Sequence, residues 1–241
     1  MTRSRALFRE DAYAAENRAT VLESSEAGVI LDASVFYPRA GGQPGDTGTI
    51  AWDGGEMAVA DTVKAPDGSA LHLPAAGGAL PPVGAQVVAR LDWNRRHRHM
   101  RMHTTLHLLC AAMPGIFATG NQIGAEKSRL DFDLPEPPAK EWVTERLNGL
   151  IAGDHPIGER WITEAELDAS PGLVRTLSVQ PPRGAGQVRL VRIGAEEAPV
   201  DLQPCGGTHV RRTGEIGRVE VVKMESKGKQ NRRIHIVLAE G

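Results

Sequence analysis

Two pairs of side chains, about a hundred residues apart, have the types and spacing to bind a metal ion. The first lies in HTTLH, where His103 and His107 stand four residues apart. On a helix that spacing projects both imidazoles from one face, which is how a helix offers two ligands to one zinc ion. The second lies in QPCGGTHV, which supplies Cys205 and His209, again four apart, with Gly206 and Gly207 letting the backbone turn tightly. Two histidines with a Cys/His pair make a plausible tetrahedral zinc set. A zinc protease would carry a glutamate directly after the first histidine as its general base. Thr104 holds that position and argues against proteolysis. Cys110 lies seven residues beyond His103 on the same helical face and is a rival ligand, although a lone helical cysteine is usually a small buried hydrophobe. His209 is the least certain member of the set, and a water could take its place.

Two other stretches fail as motifs. GAEKS at Gly124–Ser128 resembles the end of a phosphate-binding loop, but its glycine and lysine are not adjacent and the upstream spacing is wrong. GAGQVR at Gly184–Arg189 lacks the last glycine of a dinucleotide fingerprint. Neither nucleotide hydrolysis nor redox chemistry is indicated, and no nucleotide cofactor is expected.

The elements needed to position these pairs divide the chain in two. Residues 1–91 read as short strands at Ala19–Glu23, Val29–Ala33, Met57–Val63 and Val87–Leu91. They are separated by the turn signals GGQPGDTG, Asp53-Gly54-Gly55, Pro66-Asp67-Gly68 and Gly77-Gly78. That spacing predicts a small glycine-rich β-barrel. From Trp93 to Met113 there is neither glycine nor proline, and Met102, Leu106, Leu109 and Met113 recur at helical spacing. This is the helix that must carry the histidine pair, and Pro114-Gly115 stops it. A loop follows, then a strand at Ser128–Leu134 and a helix near Lys140–Ile151 that places Trp142, Leu147 and Ile151 inward. Strands are expected at Gln187–Ile193, Gly217–Glu225 and Arg233–Leu238. Strands and helices mixed without regular alternation make residues 92–241 an α+β domain.

The composition is that of a globular protein, 41% hydrophobic and 24% charged, and the formal net charge of −2 excludes a protein that coats nucleic acid non-specifically. MTRSRALFREDAY lacks the apolar core of a secretory signal, and no run of about 18 apolar residues could span a bilayer. Two cysteines make no disulfide framework. A soluble, cytoplasmic protein is expected.

Five stretches together resemble the AlaX-type alanyl-tRNA editing proteins and the matching editing region of alanyl-tRNA synthetases. They are FYPRAGGQPGDTG in the first domain, then RMHTTLHLL, NQIGAEKSRLDFDL, QPCGGTHV and KMESKGKQNRRIHI in the second. The resemblance covers nearly the whole chain in the expected order, and the glycine-rich first domain is similar to the longer AlaX class. It implies zinc-dependent hydrolysis of the ester that joins serine, or glycine, to the transfer RNA of alanine. It matches His103, His107, Cys205 and His209 to the family's zinc ligands and places Gln122 at the substrate pocket. It also adds the possibility that Gly41-Gly42 lets the backbone of the first domain approach that pocket. The part of the synthetase that charges the RNA has no counterpart before the first motif.

Such an ester is already activated, so a positioned water and stabilisation of the developing oxyanion suffice. Zinc can lower the pKa of a bound water or polarise the carbonyl. Four protein ligands would nevertheless close the site, as in structural zinc sites. Serine is larger than alanine and glycine smaller, so size alone cannot spare alanine. Polar groups that would be left unpaired beside its methyl could. Thr104, Thr105, Asn121 and Gln122 are the local candidates, with helix-surface threonines an equally good reading of the first two. RNA contact would come from Arg95, Arg96, Arg98 and Arg101 before the histidine pair, and from Lys223, Lys227, Lys229, Arg232 and Arg233 near the C-terminus. A zinc-stabilised RNA-binding module without catalysis is the alternative, and a zinc hydrolase of small esters or amides a third reading.

Overall fold

The computed structural model describes residues 4–176 and 186–239, so the start of the GAGQVR stretch lies outside the described residues. Two compact units are present, Met1–His97 and Arg98–Gly241.

The first unit opens with β1 (Arg5–Ala6), β2 (Glu16–Ser25), β3 (Gly28–Leu31) and β4 (Ala33–Ser34), followed by β5 (Gly48–Trp52), β6 (Gly55–Lys64), β7 (Ala70–Pro74) and β8 (Gln86–Leu91). Six of these close a barrel in the order β2-β3-β7-β6-β5-β8. The long strands β2 and β6 each carry a register shift, which lets them bend around it. Inward alternation fills the interior with Val21, Val29, Leu31, Ile50, Met57, Val59 and Val87, with Phe36 among them. Strands β5 and β7 were not expected: GTIAW and ALHLP are short and only weakly alternating. His72 on β7 is buried, between the Val29 carbonyl at Nδ1 (2.8 Å) and the Ser34 hydroxyl at Nε2 (2.8 Å).

GGQPGDTG has two distinct jobs within this unit. Gly41 and Gly42 have φ of 58° and 87°, and Ala40 and Gln43 bond each other across them, as in a two-residue hairpin turn with both central φ positive. Further on, a Cβ on Gly45 would come within 2.0 Å of the Thr62 carbonyl, so only glycine fits. Asp46 then receives the Tyr37 amide and the guanidinium of Arg96. Arg96 also donates to the carbonyls of Ala12 and Val35 and is fully buried. Arg96 is therefore not a surface cation available to RNA: a buried charge this close to a carboxylate is held by it.

Helix α1 (Trp93–Ala112) begins in the first unit and continues into the second. Asp92 caps it by accepting the Arg95 amide at 3.0 Å. The second unit adds β9 (Ala118–Gln122), β10 (Lys127–Asp133), α2 (Lys140–Ala152), β11 (Ile157–Thr163), α3 (Glu164–Asp168), β12 (Gln187–Gly194), β13 (Pro199–Pro204), β14 (Val219–Ser226) and β15 (Asn231–Leu238). They form one antiparallel sheet in the order β14-β15-β10-β9 and another in the order β11-β12-β13. An N-terminal barrel followed by a mixed unit is the α+β class expected.

Helix α2 corrects one detail. Its buried stripe is Val143, Leu147 and Ile151, four residues apart, whereas Trp142 is 47% exposed. One residue is a turn of 100° on a helix, which moves Trp142 off the stripe. Asn148 of α2 bonds both the amide and the carbonyl of Val219 and so occupies the outer edge of β14. No helix among the described residues is long and apolar enough to cross a membrane.

Candidate metal centre

Helix α1 presents His103 and His107 on one face, each 6% exposed. Strand β13 ends at Pro204, and the following turn brings Cys205 and His209 against them. One ligand atom from each of the four residues lies within 4.8 Å of all the others. The Cys205 Sγ is 3.4 Å from His103 Nε2 and 3.3 Å from His209 Nε2. Tetrahedral zinc, with Zn–N of about 2.05 Å and Zn–S of about 2.3 Å, has S···N edges of about 3.6 Å. These two S···N spacings agree within a few tenths of an ångström, and the N₃S donor set suits one such ion.

The neighbours fix which nitrogen His107 and His209 offer. His107 Nδ1 is 2.9 Å from Asp201 Oδ2. A carboxylate only accepts, so Nδ1 carries the hydrogen and Nε2 faces the cluster. Thr104 Oγ1 donates its single hydrogen to the Met100 carbonyl (2.9 Å). It can therefore only accept from His209 Nδ1 (3.1 Å), which leaves the lone pair on Nε2, towards Cys205. The Val210 amide also points at Thr104 Oγ1, at 3.4 Å. Carboxylate and hydroxyl partners of this kind orient metal-binding histidines.

The electrostatics suit a cation. Burial alone would raise the Cys205 thiol, but His103 and His209 beside it hold it well below the usual thiol range. Burial, followed by repulsion from His103, keeps His209 neutral by lowering it well below an ordinary histidine. Burial opposes a proton on His107 too, yet Asp201 and Cys205 outweigh it and raise it to about 10. A thiolate and a neutral imidazole are the forms a metal requires, and metal binding would displace the His107 Nε2 proton. Cys110, the rival ligand, lies outside the cluster, and burial pushes its thiol up to about 12.

Arg189 holds the cysteine turn. Its carbonyl accepts the Cys205 amide (3.1 Å), and its guanidinium donates to the carbonyls of Cys205 (3.0 Å) and Gly207 (2.9 Å). Neither Arg189 nor Asp201 was singled out from the sequence. VDLQPC does alternate ahead of the cysteine, a weak strand signal that would have put Asp201 and Gln203 on one face with it.

The remaining candidates are spread over both units. Thr105 is buried and its hydroxyl donates to the Arg101 carbonyl. Gln122 ends β9 rather than sitting in a loop, and its exposed side chain accepts from Arg129 Nε at 3.2 Å. In the first unit Gly41 and Gly42 form the exposed turn described above, and Arg95 bonds the Gly45 carbonyl. Arg98 bonds Ala125 and Glu126, and Arg101 bonds the Ile216 carbonyl. Near the C-terminus Lys223 and Lys227 lie by Glu225, Arg232 bonds the carbonyls of Gly228 and Pro135, and Arg233 forks onto Asp131. Lys229 is exposed.

A closed barrel ahead of a unit carrying a His/His/Cys/His cluster defines a two-unit α+β protein with a candidate metal centre. A family model described as "Threonyl and Alanyl tRNA synthetase second additional domain" matches residues 188–235, and one described as "tRNA synthetases class II (A)" matches residues 5–95. Within that class, the chain belongs to the family of alanyl-tRNA editing proteins of the AlaX-M type. It is 35% identical to the "Alanyl-tRNA editing protein AlaX-M" of Methanosarcina acetivorans, over 96% of this chain and 98% of the relative. The protein of the same name from Methanosarcina barkeri is also 35% identical, over 98% and 99%. The "Alanine--tRNA ligase" of Pyrobaculum neutrophilum is 37% identical over 93% of this chain, which spans only 26% of that ligase.

Proposed function

We propose that the protein is a trans-editing deacylase: it hydrolyses the ester of serine, and of glycine, wrongly attached to the transfer RNA of alanine. The observation that carries this reading is the convergence of His103, His107, Cys205 and His209 on one point in the second unit. The full-length likeness to proteins named for alanyl-tRNA editing supports the substrate class.

Zinc is the ion that the N₃S donor set suits, and when bound it supplies a Lewis-acid centre for an ester carbonyl or a water. Asp201 and Thr104 hold the two histidine rings in their ligating tautomers, and Arg189 holds the turn that carries the thiolate. Gln122 offers an amide that both donates and accepts, suited to a serine hydroxyl, the ester carbonyl or the terminal ribose. Thr104 is assigned to orienting His209, because its hydrogen and both of its lone pairs have protein partners. Thr105 is assigned to the helix wall behind the cluster. Arg95, Arg98, Lys227, Lys229, Arg232 and Arg233 hold the RNA backbone. Of these, Lys229 is exposed and needs the least rearrangement to do so. Gly41 and Gly42 form a narrow turn whose exposed backbone suits close approach to the substrate. A cytoplasmic location comes with this reading, since charged transfer RNA is found there.

A second reading has one specific observation in its favour. Four protein ligands complete a tetrahedron, as in structural zinc sites, which suits a metal-stabilised RNA-binding module without catalysis. Incubating the purified protein with alanine transfer RNA charged with serine, glycine or alanine separates the two. The editing reading requires release of serine or glycine with alanine spared. No release, with charged and uncharged RNA bound equally, would establish the binding module.

A further inference from the structure

Among the described residues five large apolar side chains are exposed, Trp142 and Trp161 among them at 47% each. A single exposed tryptophan is ordinary. Its place in the sheet is what distinguishes Trp161. Trp161 on β11 stands directly opposite Arg189 on β12. Arg189 in turn stands opposite Cys205, whose amide bonds its carbonyl just past the end of β13. Residues directly opposite each other on neighbouring strands point to the same face. Trp161, Arg189 and Cys205 thus form one row across the sheet, ending at the metal-binding thiolate. The other face is spoken for: Ile162, Val188 and Leu190 are buried there among Leu167, Leu173, Val174 and Leu202.

The row has a definite length and charge. With strands about 4.8 Å apart, two strand spacings set the Trp161 backbone about 10 Å from that of Cys205. One nucleoside bearing an acyl group on its ribose is of similar length. Between the two ends lies the Arg189 guanidinium, which contacts Glu159 on the β11 side and the carbonyls of Cys205 and Gly207 on the other.

We propose that Trp161 is the stacking platform for the terminal base of the acylated RNA, placing the ester over the Cys205 end of the row. This rests on the deacylase reading and specifies how the RNA 3′ end is seated. Aromatic side chains bind unpaired bases by stacking, with a gain that survives only while both the ring and the base are present.

The test is a cycle in which both partners are removed in turn. Uncharged acceptor minihelices are used to inhibit release of serine from Ser-charged RNA, one ending in the natural adenosine and one in a sugar that lacks the base. For the unaltered protein the base-less competitor should inhibit at least fivefold more weakly, the lower end of what stacking supplies. For Trp161→Ala the two competitors should inhibit alike, while Trp161→Phe, which retains a ring, keeps most of the difference. Trp142→Ala, the equally exposed tryptophan on α2, should behave like the unaltered protein. A preference for the base that persists in Trp161→Ala, or none in the unaltered protein, would overturn the platform and leave the deacylase reading intact. An unaltered protein that releases no amino acid from any charged RNA would remove the reading and the platform with it.

Discussion

Replacing Thr104 by valine removes one oxygen and almost no volume, and its consequences can be worked out from the hydrogen bonds. The hydroxyl is buried, donates to the Met100 carbonyl and accepts from His209 Nδ1. In Thr104→Val the Nδ1–H of His209 and the Val210 amide lose their acceptor in a site closed to water. Each buried donor left unmade costs roughly 1–3 kcal/mol, the Val210 contact contributing at the low end because it is already long. The larger effect falls on the metal. With no acceptor at Nδ1, His209 can move its proton to Nε2 or swing its ring, and either change withdraws a ligand. Loss of such an outer partner typically lowers metal affinity 10- to 100-fold.

Zinc affinity measured by competition with a chromophoric chelator should therefore fall by about that factor in Thr104→Val. Thr104→Ser, which keeps the oxygen, should restore most of it. Unfolding in urea should show a loss of a few kcal/mol for valine and much less for serine. Equal zinc affinity for valine and threonine would mean that His209 is not oriented through this hydroxyl. A serine variant as weak as the valine one would shift the effect to packing of the methyl group.

Elemental analysis should find about one zinc per chain in the unaltered protein and most of it gone in Cys205→Ala, since three histidines remain but the thiolate is lost; full retention would mean a different ligand set. Gln122→Ala should lower kcat/KM for Ser-charged RNA by roughly tenfold while leaving zinc content unchanged, the loss of about one hydrogen bond to the substrate; near-normal kinetics would confine Gln122 to its pairing with Arg129. His72 gives a pH dependence of opposite origin to that of a paired carboxylate. Burial lowers its pKa from 6.5 to about 4, so the unfolded chain takes up a proton that the folded barrel refuses. Its neutral form costs nothing above about pH 6.5, and stability should fall by up to about 3 kcal/mol between there and pH 4. Comparing urea midpoints at pH 7 and pH 4.5 should show that drop shrinking in His72→Gln; an equal drop in the variant would assign it to other groups.

The helix and its histidines were legible because one period governs both: His103 and His107 share a face for the same geometric reason as Leu106 and Leu109 share a core. The cysteine turn was legible from glycine next to chemistry-bearing residues. What escaped lies on strands too short or too irregular to show alternation. ATGNQ contains a glycine and no β-branched pair, so β9 read as a loop and Gln122 as a loop residue. On the sequence Trp142 reads as inward, because a large apolar residue near a helical stripe is usually part of it, yet Val143 satisfies the four-residue spacing and Trp142 does not. On the sequence alone the basic runs read as solvated faces suited to contact with an RNA backbone. Arg96 is sunk into Asp46 and Arg233 is forked onto Asp131, pairings fixed by residues 50 and 102 positions away that no local pattern reveals.

The same limit explains why the two ends of the metal site differ in how they could be found. A helix brings its ligands together by spacing within one segment, so types and intervals suffice. A sheet brings residues together by register, and register depends on which strands are neighbours. Asp201 reaches His107 across 94 positions, and Arg189 stands opposite both Trp161 and Cys205 only because β12 runs between β11 and β13. A change confined to the helix pair should therefore act on the metal alone. A change at Arg189 reaches two things at once, the turn that holds the thiolate and the row that ends in Trp161. Of the residues around the cluster, Arg189 is the one at which metal binding and RNA seating should fail together.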